Sequence, residues 1–233
     1  MALLEIGPIA GGYGDADVFS DVSFTVDVGE IVTLAGTNGS GKSSLVKAIL
    51  GLLPRVRGEV RLDGVEIGGW SVGDRARHGI GYVPQVANVF PSLTVHENLQ
   101  VISIENQRQA IAGIYEEFPA LAERRRNRAG SLSGGERQQL AIARVLIARP
   151  RLIILDEPTA NLSPLLVSQV FGIISGLPSP TVGVLLVEQR AREALAISRR
   201  GIIMEAGRVC ASGPAAELLA DDDLARRFLG QYA

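Results

Sequence analysis

Apolar positions along this chain gather into short blocks whose period changes from one part to the next. From Phe24 to Val32 they alternate and then run together, with Gly29-Glu30 as a turn, which predicts two strands. Gly58–Ile67 alternates around Asp63-Gly64 and predicts a hairpin. Ser44–Leu50 has helical spacing and stops at Gly51, with Pro54 beyond, as a helix C-terminus should. Between Val86 and Arg149 the strand signals vanish and the text becomes helical and polar, which predicts a helical insertion. From Arg151 onward strands return at Leu152–Leu155, Val182–Val187 and Gly201–Met204, with helix-like text between them. Strands alternating with helices predict an α/β fold whose mostly parallel sheet is covered on both faces. The apolar runs fall far short of the roughly 20 residues that span a bilayer. The start, Met-Ala-Leu-Leu-Glu-Ile-Gly-Pro, lacks the basic region of a signal peptide.

Composition narrows the classes. At 233 residues the chain can form one large α/β domain, with or without a small inserted subdomain. A net charge of −2, from 23 Lys plus Arg against 25 Asp plus Glu, lacks the basic excess of a nucleic-acid binder. The run Arg124-Arg125-Arg126 with Arg128 reads as a solvated face rather than a binding patch. Cys210 is the only cysteine, so no intrachain disulfide forms; it reads as a small apolar filler, and a cytosolic setting is expected.

Three motifs carry chemistry. Gly36-Thr37-Asn38-Gly39-Ser40-Gly41-Lys42-Ser43 fits G-x-x-x-x-G-K-[ST] between a predicted strand and a predicted helix, followed by Ser44. Glycines let backbone N–H groups turn inward around the phosphates of ATP, Lys42 reaches the β/γ oxygens, and Ser43 coordinates Mg²⁺. The chain has only two lysines, Lys42 and Lys47, among many arginines, so a lysine where a compact point charge is needed is selective. The strand Arg151–Leu155 ends in Asp156-Glu157, at the strand edge where ligands bind; Asp156 would hold the Mg²⁺ shell through water, and Glu157 would act as general base. Leu132-Ser133-Gly134-Gly135-Glu136-Arg137-Gln138 opens a helix running to about Ala148, with Leu140, Ala143 and Ile147 on one face, and its small residues suit a second anion site.

The order of these motifs resembles that of ABC ATPases, and the resemblance covers essentially the whole chain. It implies a P-loop nucleotide-binding core with an N-terminal antiparallel β-subdomain, made of residues 1–86 and 150–233, and an inserted helical subdomain, 87–149, that carries the signature. It also implies head-to-tail pairing with a second, related ATPase subunit, a hetero-dimer or alternatively a homodimer. Ser133, Gly134, Gly135 and Glu136 would then close over the partner's ATP. Gln85 looks like the glutamine that contacts Mg²⁺ or water and reports to the membrane subunits. Tyr13 looks like the aromatic that stacks on adenine, a plain packed tyrosine being the alternative.

Two positions depart from the family pattern. Gln189, in Leu186-Val187-Glu188-Gln189, stands where a switch histidine is usual; it can donate a hydrogen bond to the γ-phosphate but cannot become cationic. Ala160-Asn161-Leu162-Ser163 stands where the stretch usually ends in aspartate. Gln189, Leu162–Val167 and the ending Phe228-Leu229-Gly230 resemble the LivF-type ATPases of branched-chain amino-acid importers, whose relatives serve urea and short amides; Gln85 stands where a glutamate is expected in that subgroup. The resemblance thus implies a peripheral ATPase on the cytoplasmic face of an inner membrane, with two permease subunits and, indirectly, a solute-binding protein. Val86, Val89, Phe90 and Leu93 would line the docking groove or else belong to the core of the insertion. A soluble ABC ATPase of DNA repair or translation, or a regulatory nucleotide-binding module, are the other readings.

Overall fold

The computed structural model describes residues 2–228. Leu229 and Gly230 of the C-terminal ending lie outside the described residues.

The chain opens with strands β1 (Leu4–Gly12), β2 (Phe19–Val26) and β3 (Ile31–Gly36), followed by helix α1 (Lys42–Ile49). Short strands β4 (Arg55–Arg57), β5 (Val60–Leu62) and β6 (Val65–Glu66) lead to α2 (Val72–Arg77) and β7 (Ile80–Val83). Helices α3 (Val95–Gln100), α4 (Gln107–Glu117), α5 (Pro119–Glu123) and α6 (Gly134–Ile147) fill the expected helical stretch. After it come β8 (Leu152–Asp156), α7 (Pro164–Ser175), β9 (Gly183–Glu188), α8 (Ala191–Ala196), β10 (Arg200–Glu205), β11 (Arg208–Pro214), α9 (Ala215–Ala220) and α10 (Asp222–Phe228).

The described strands make two sheets. One is antiparallel, in the order β2-β1-β5-β6 with β4 also on β1. The hairpin turns at Asp63 and Gly64, both at positive φ, as a two-residue turn matched to strand twist requires. The other runs β11-β10-β3-β9-β8-β7, parallel from β10 to β7, with β11 antiparallel at its edge. Its central strands are buried on both faces, which is why they read as unbroken apolar runs. Side chains of β8 nevertheless part by period two: Leu152 and Ile154 join the cluster under α1 and the antiparallel sheet, while Ile153 and Leu155 join the cluster formed with α6 and α7. Leu140, Ala143 and Ile147 of α6 lie wholly inside that second cluster.

Cys210 corrects one expectation: it is exposed on β11, with its Sγ donating to Ile203 O, and does not fill the core. The arginine run is exposed, as expected of a solvated face. Of the four apolar residues after Gln85, Val89 is buried, Leu93 is half-buried, and Val86 and Phe90 are exposed.

Arg75 of α2 holds the phosphate-loop helix from behind. All five of its N–H groups are used: Nη1 donates to Ala48 O and Ile49 O in the last turn of α1, Nη2 to Ile67 O and Gly68 O, and Nε to Trp70 O. The guanidinium thereby satisfies carbonyls that a helix end leaves unpaired and complements the negative end of its dipole. Burial depresses its pKa against the opposing pull of Glu66. Arg75→Met keeps the apolar stem and strands these carbonyls. Chemical denaturation should show a loss of about 3 kcal/mol, and a loss below about 1 kcal/mol would mean the bonds add little.

Candidate nucleotide site

Three adjacent strands, β3, β9 and β8, end at one edge of the parallel sheet, and each delivers a candidate residue there. The glycine-rich loop leaves β3 at Gly36, where a Cβ would stand 2.3 Å from Met204 O, so only glycine fits the approach to β10. Gly41, at φ +100°, enters α1 in a left-handed conformation that side chains avoid. Lys42, the first residue of α1, curls back so that Nζ donates to Gly36 O (2.7 Å) and Thr37 O (3.0 Å). Burial depresses the Lys42 pKa against the opposing pull of Glu157, Asp156 and Glu188. Ser43 is exposed, Ser44 half-buried, and Ser40 Oγ is buried without a hydrogen-bond partner.

Asp156 ends β8. Its Oδ2 accepts from Tyr82 OH (3.2 Å), and its Oδ1 is buried with no hydrogen-bond partner. Burial raises its pKa, Glu157 adds to the rise, and Tyr82 and Lys42 oppose it. Buried unpaired carboxylate oxygens are rare in native proteins, and a hard cation is the kind of group that satisfies one.

Glu157 sits at φ +48°, an uncommon conformation for a residue with a side chain. Its N–H donates to Val187 O (2.8 Å). Its carboxylate Oε2 accepts from two amides, Gln85 Nε2 (2.9 Å) and Gln189 Nε2 (2.8 Å). The Gln189 amide also donates to Asn38 Oδ1 in the loop. One cleft is lined by Asn38, Gln85, Glu157, Glu188 and Gln189, so residues from four separate segments meet there.

The signature residues face elsewhere. Ser133 caps α6 and shares a reciprocal capping box with Glu136, which also pairs with Arg124. Gly134 and Gly135 carry no side chain where Leu162 and Leu166 lie directly against the helix start. Ser133 and Glu136 open onto a groove along α6 and α7, apart from the cleft around Glu157. Tyr13 is half-exposed beside α1: Lys47 Nζ donates to its hydroxyl (3.1 Å) and lies 5.7 Å from the ring centre.

With the loop, the carboxylate pair and the helix start in place, the sequence profile of the ABC transporter family matches residues 19–160. The chain belongs to this family. The ABC relatives it resembles include the branched-chain amino-acid transport ATP-binding protein BraG of Pseudomonas aeruginosa, 38% identical over 98% of this chain and 100% of that one. The probable branched-chain amino-acid transport ATP-binding protein LivF of Archaeoglobus fulgidus is 37% identical, over 98% and 99%. Equally similar is the lipopolysaccharide export ATP-binding protein LptB of Haemophilus influenzae, 37% identical over 99% and 98%. Among solved structures, the ADP conformation of an ABC transporter cassette superposes with a TM-score of 0.86 at 26% identity, covering 99% of this chain and 100% of that one. This ABC chain is therefore a nucleotide-binding, ATP-hydrolysing subunit of a transporter.

Glu188, Thr159 and Tyr82 were not singled out by sequence. An acid at a strand end and a threonine in a loop are common, and only the fold brings Glu188 onto Thr159, 29 residues away.

Proposed function

We propose that this ATPase powers import of branched-chain amino acids, with Glu157 as the general base. The observation that carries the site reading is the Glu157 carboxylate held between Gln85 and Gln189, at the same strand edge as Lys42 and Asp156. Glu157 takes the proton of the attacking water, while the two amides fix which carboxylate oxygen faces it. Lys42 leaves the carbonyls of its own loop to meet the β/γ oxygens of ATP, and the loop's inward N–H groups hold the phosphates. Ser43, Asp156 and Gln85 would hold Mg²⁺, Asp156 through water. Bound there, the ion neutralises charge on the phosphates.

In this reading residues 1–86 and 150–233 bind nucleotide and residues 87–149 form the helical signature subdomain. Ser133, Gly134 and Gly135 approach the nucleotide of a second, related ATPase subunit, and Tyr13 offers its exposed ring to adenine. Two permease subunits dock on the groove that runs from Gln85 to Val89 and on to Pro91 and Gly134, where Val86 is 71% exposed. No helix among the described residues is long and apolar enough to cross a membrane, which fits a subunit bound peripherally at the cytoplasmic face. Closure of the pair on ATP and reopening after hydrolysis then switch the permease.

Identity to BraG and LivF supports the amino-acid reading, and equal identity to LptB supports lipopolysaccharide export as the second. The test is hydrolysis by the native complex in liposomes with its binding protein. Stimulation by leucine, and not by urea or lipopolysaccharide, is expected. Stimulation by either of the others alone would replace the solute and leave the nucleotide site as described.

The rate should fall off on both sides of neutrality. Asp156 must lose its proton to take up Mg²⁺, and in the free subunit burial holds its carboxyl above the ordinary range, so uptake of the ion fails on acidification at a higher pH than an ordinary aspartate would give. Lys42 must be cationic, and burial lowers its pKa, so the alkaline loss begins below the ordinary lysine range. Gln189 adds no titration between these limits. Gln189→His should preserve transport near pH 8 and add a new pH dependence near ~6.5. Complete loss of transport at pH 8 would show that the site requires a neutral amide.

A further inference from the structure

Glu157 is one of the few side-chain-bearing residues at positive φ, and such a conformation persists only where its surroundings over-determine it. Part of that constraint is visible around the cleft. Two residues on, Thr159 is fully buried, and both its N–H (3.0 Å) and its hydroxyl (2.7 Å) donate to Glu188 Oε1. The other oxygen, Glu188 Oε2, accepts the backbone N–H of Gln189 (3.1 Å). Gln189 then turns its side chain back, and its amide donates to Glu157 Oε2. The path from Glu157 through Thr159, Glu188 and Gln189 to Glu157 again is a closed ring, shut by the side chain of Glu188.

We propose that Glu188 is a positioning residue for hydrolysis: its buried carboxylate ties the loop after β8 to the switch amide and so aims Glu157. The proposal rests on Glu157 being the base. Glu188 is 2% exposed at the wall of the cleft and both its carboxylate oxygens are taken up by Thr159 and Gln189, so it acts through its neighbours. A carboxylate suits the place because donors face it: Thr159 N–H, Thr159 O–H and the backbone N–H groups of Gln189 and Arg190, with the Lys42 ammonium near enough to feel its charge. A glutamine there presents an amide N–H₂ to one of these donors, so one arm of the ring must open. Burial raises the Glu188 pKa, and the hydrogen bonds from Thr159, Arg190 and Gln189 offset part of that rise.

The experiment measures steady-state hydrolysis, nucleotide affinity and thermal stability of the assembled complex for Glu188→Gln, Thr159→Val, Thr159→Ser and the double variant Glu188→Gln/Thr159→Val. If the ring aims Glu157, Glu188→Gln and Thr159→Val each lower kcat by about ten-fold or more, with KM and nucleotide affinity within about two-fold. Thr159→Ser, which keeps the hydroxyl, stays near the wild-type rate. The double variant falls little below the worse single one, because both changes open the same ring. Wild-type kcat in Thr159→Val, or multiplied losses in the double variant, would overturn the proposal. So would a loss of nucleotide affinity and melting temperature in step with kcat, since that is the mark of a purely structural role. Glu157→Gln runs alongside as control: if that variant still hydrolyses ATP at the wild-type rate, the base assignment fails, whatever Glu188 does.

Discussion

Glu157→Gln should leave the assembled complex able to bind ATP and lower its steady-state hydrolysis by about 10²–10⁴-fold, the contribution of a positioned general base. The swap keeps the size of the side chain and one carbonyl oxygen to accept from Gln85 and Gln189, so the cleft holds its shape. What it removes is the negative oxygen that takes the water's proton. Trapping of labelled ATP together with measured phosphate release separates the two effects. Hydrolysis at the wild-type rate would place the base elsewhere. A parallel loss of ATP binding would mean that Glu157 serves the fold of the cleft rather than the reaction.

Lys42→Ala acts one step earlier, on binding. Charge-assisted hydrogen bonds to phosphate are worth roughly 1.5–3 kcal/mol each, so ATP affinity should drop about ten- to a hundred-fold or more, measured by calorimetry or by displacement of a fluorescent analogue. Stability without nucleotide should change less than affinity, because the ammonium's hydrogen bonds go to two loop carbonyls, Gly36 O and Thr37 O, and its burial opposes the pull of Glu157, Asp156 and Glu188. Tight binding by this variant would contradict the phosphate-loop reading directly. Arginine is not an equivalent at this position: its planar fork replaces the compact point charge that Gly36 O and Thr37 O hold.

Features set by local sequence were legible before the fold was known. The phosphate loop, the Asp63-Gly64 turn and the α6 face of Leu140, Ala143 and Ile147 depend on residues near one another, and they lie where their spacing indicates. Strand β1 was not legible. Gly7-Pro8 breaks its alternation, and the strand accommodates them with register shifts between Ile6 and Ile9 and between Ile9 and Gly11. Strand β11 escaped because Arg208–Pro214 alternates between half-buried and exposed, with the small residues Ala211 and Gly213 on its inner face, too weak a pattern to stand out. The ring around Glu157 is long-range by nature: Thr159 to Glu188 and Gln189 to Asn38 are pairs whose proximity only the parallel order β3-β9-β8 creates. Cys210 shows the reverse error, since an apolar residue type on an edge strand was free to face outward.

Arg75 sets a limit on how this chain can be recombined. Its acceptors lie on both sides of a single junction, at Ala48 and Ile49 before the small hairpin and at Ile67, Gly68 and Trp70 after it. Residues 42–77 are thus inherited as one block. A mosaic gene with its crossover inside that block joins a helix end from one parent to a clamp from another, and works only if the second parent brings an arginine at the same place. Crossovers outside the block leave donor and acceptors together, so this clamp places no limit on them.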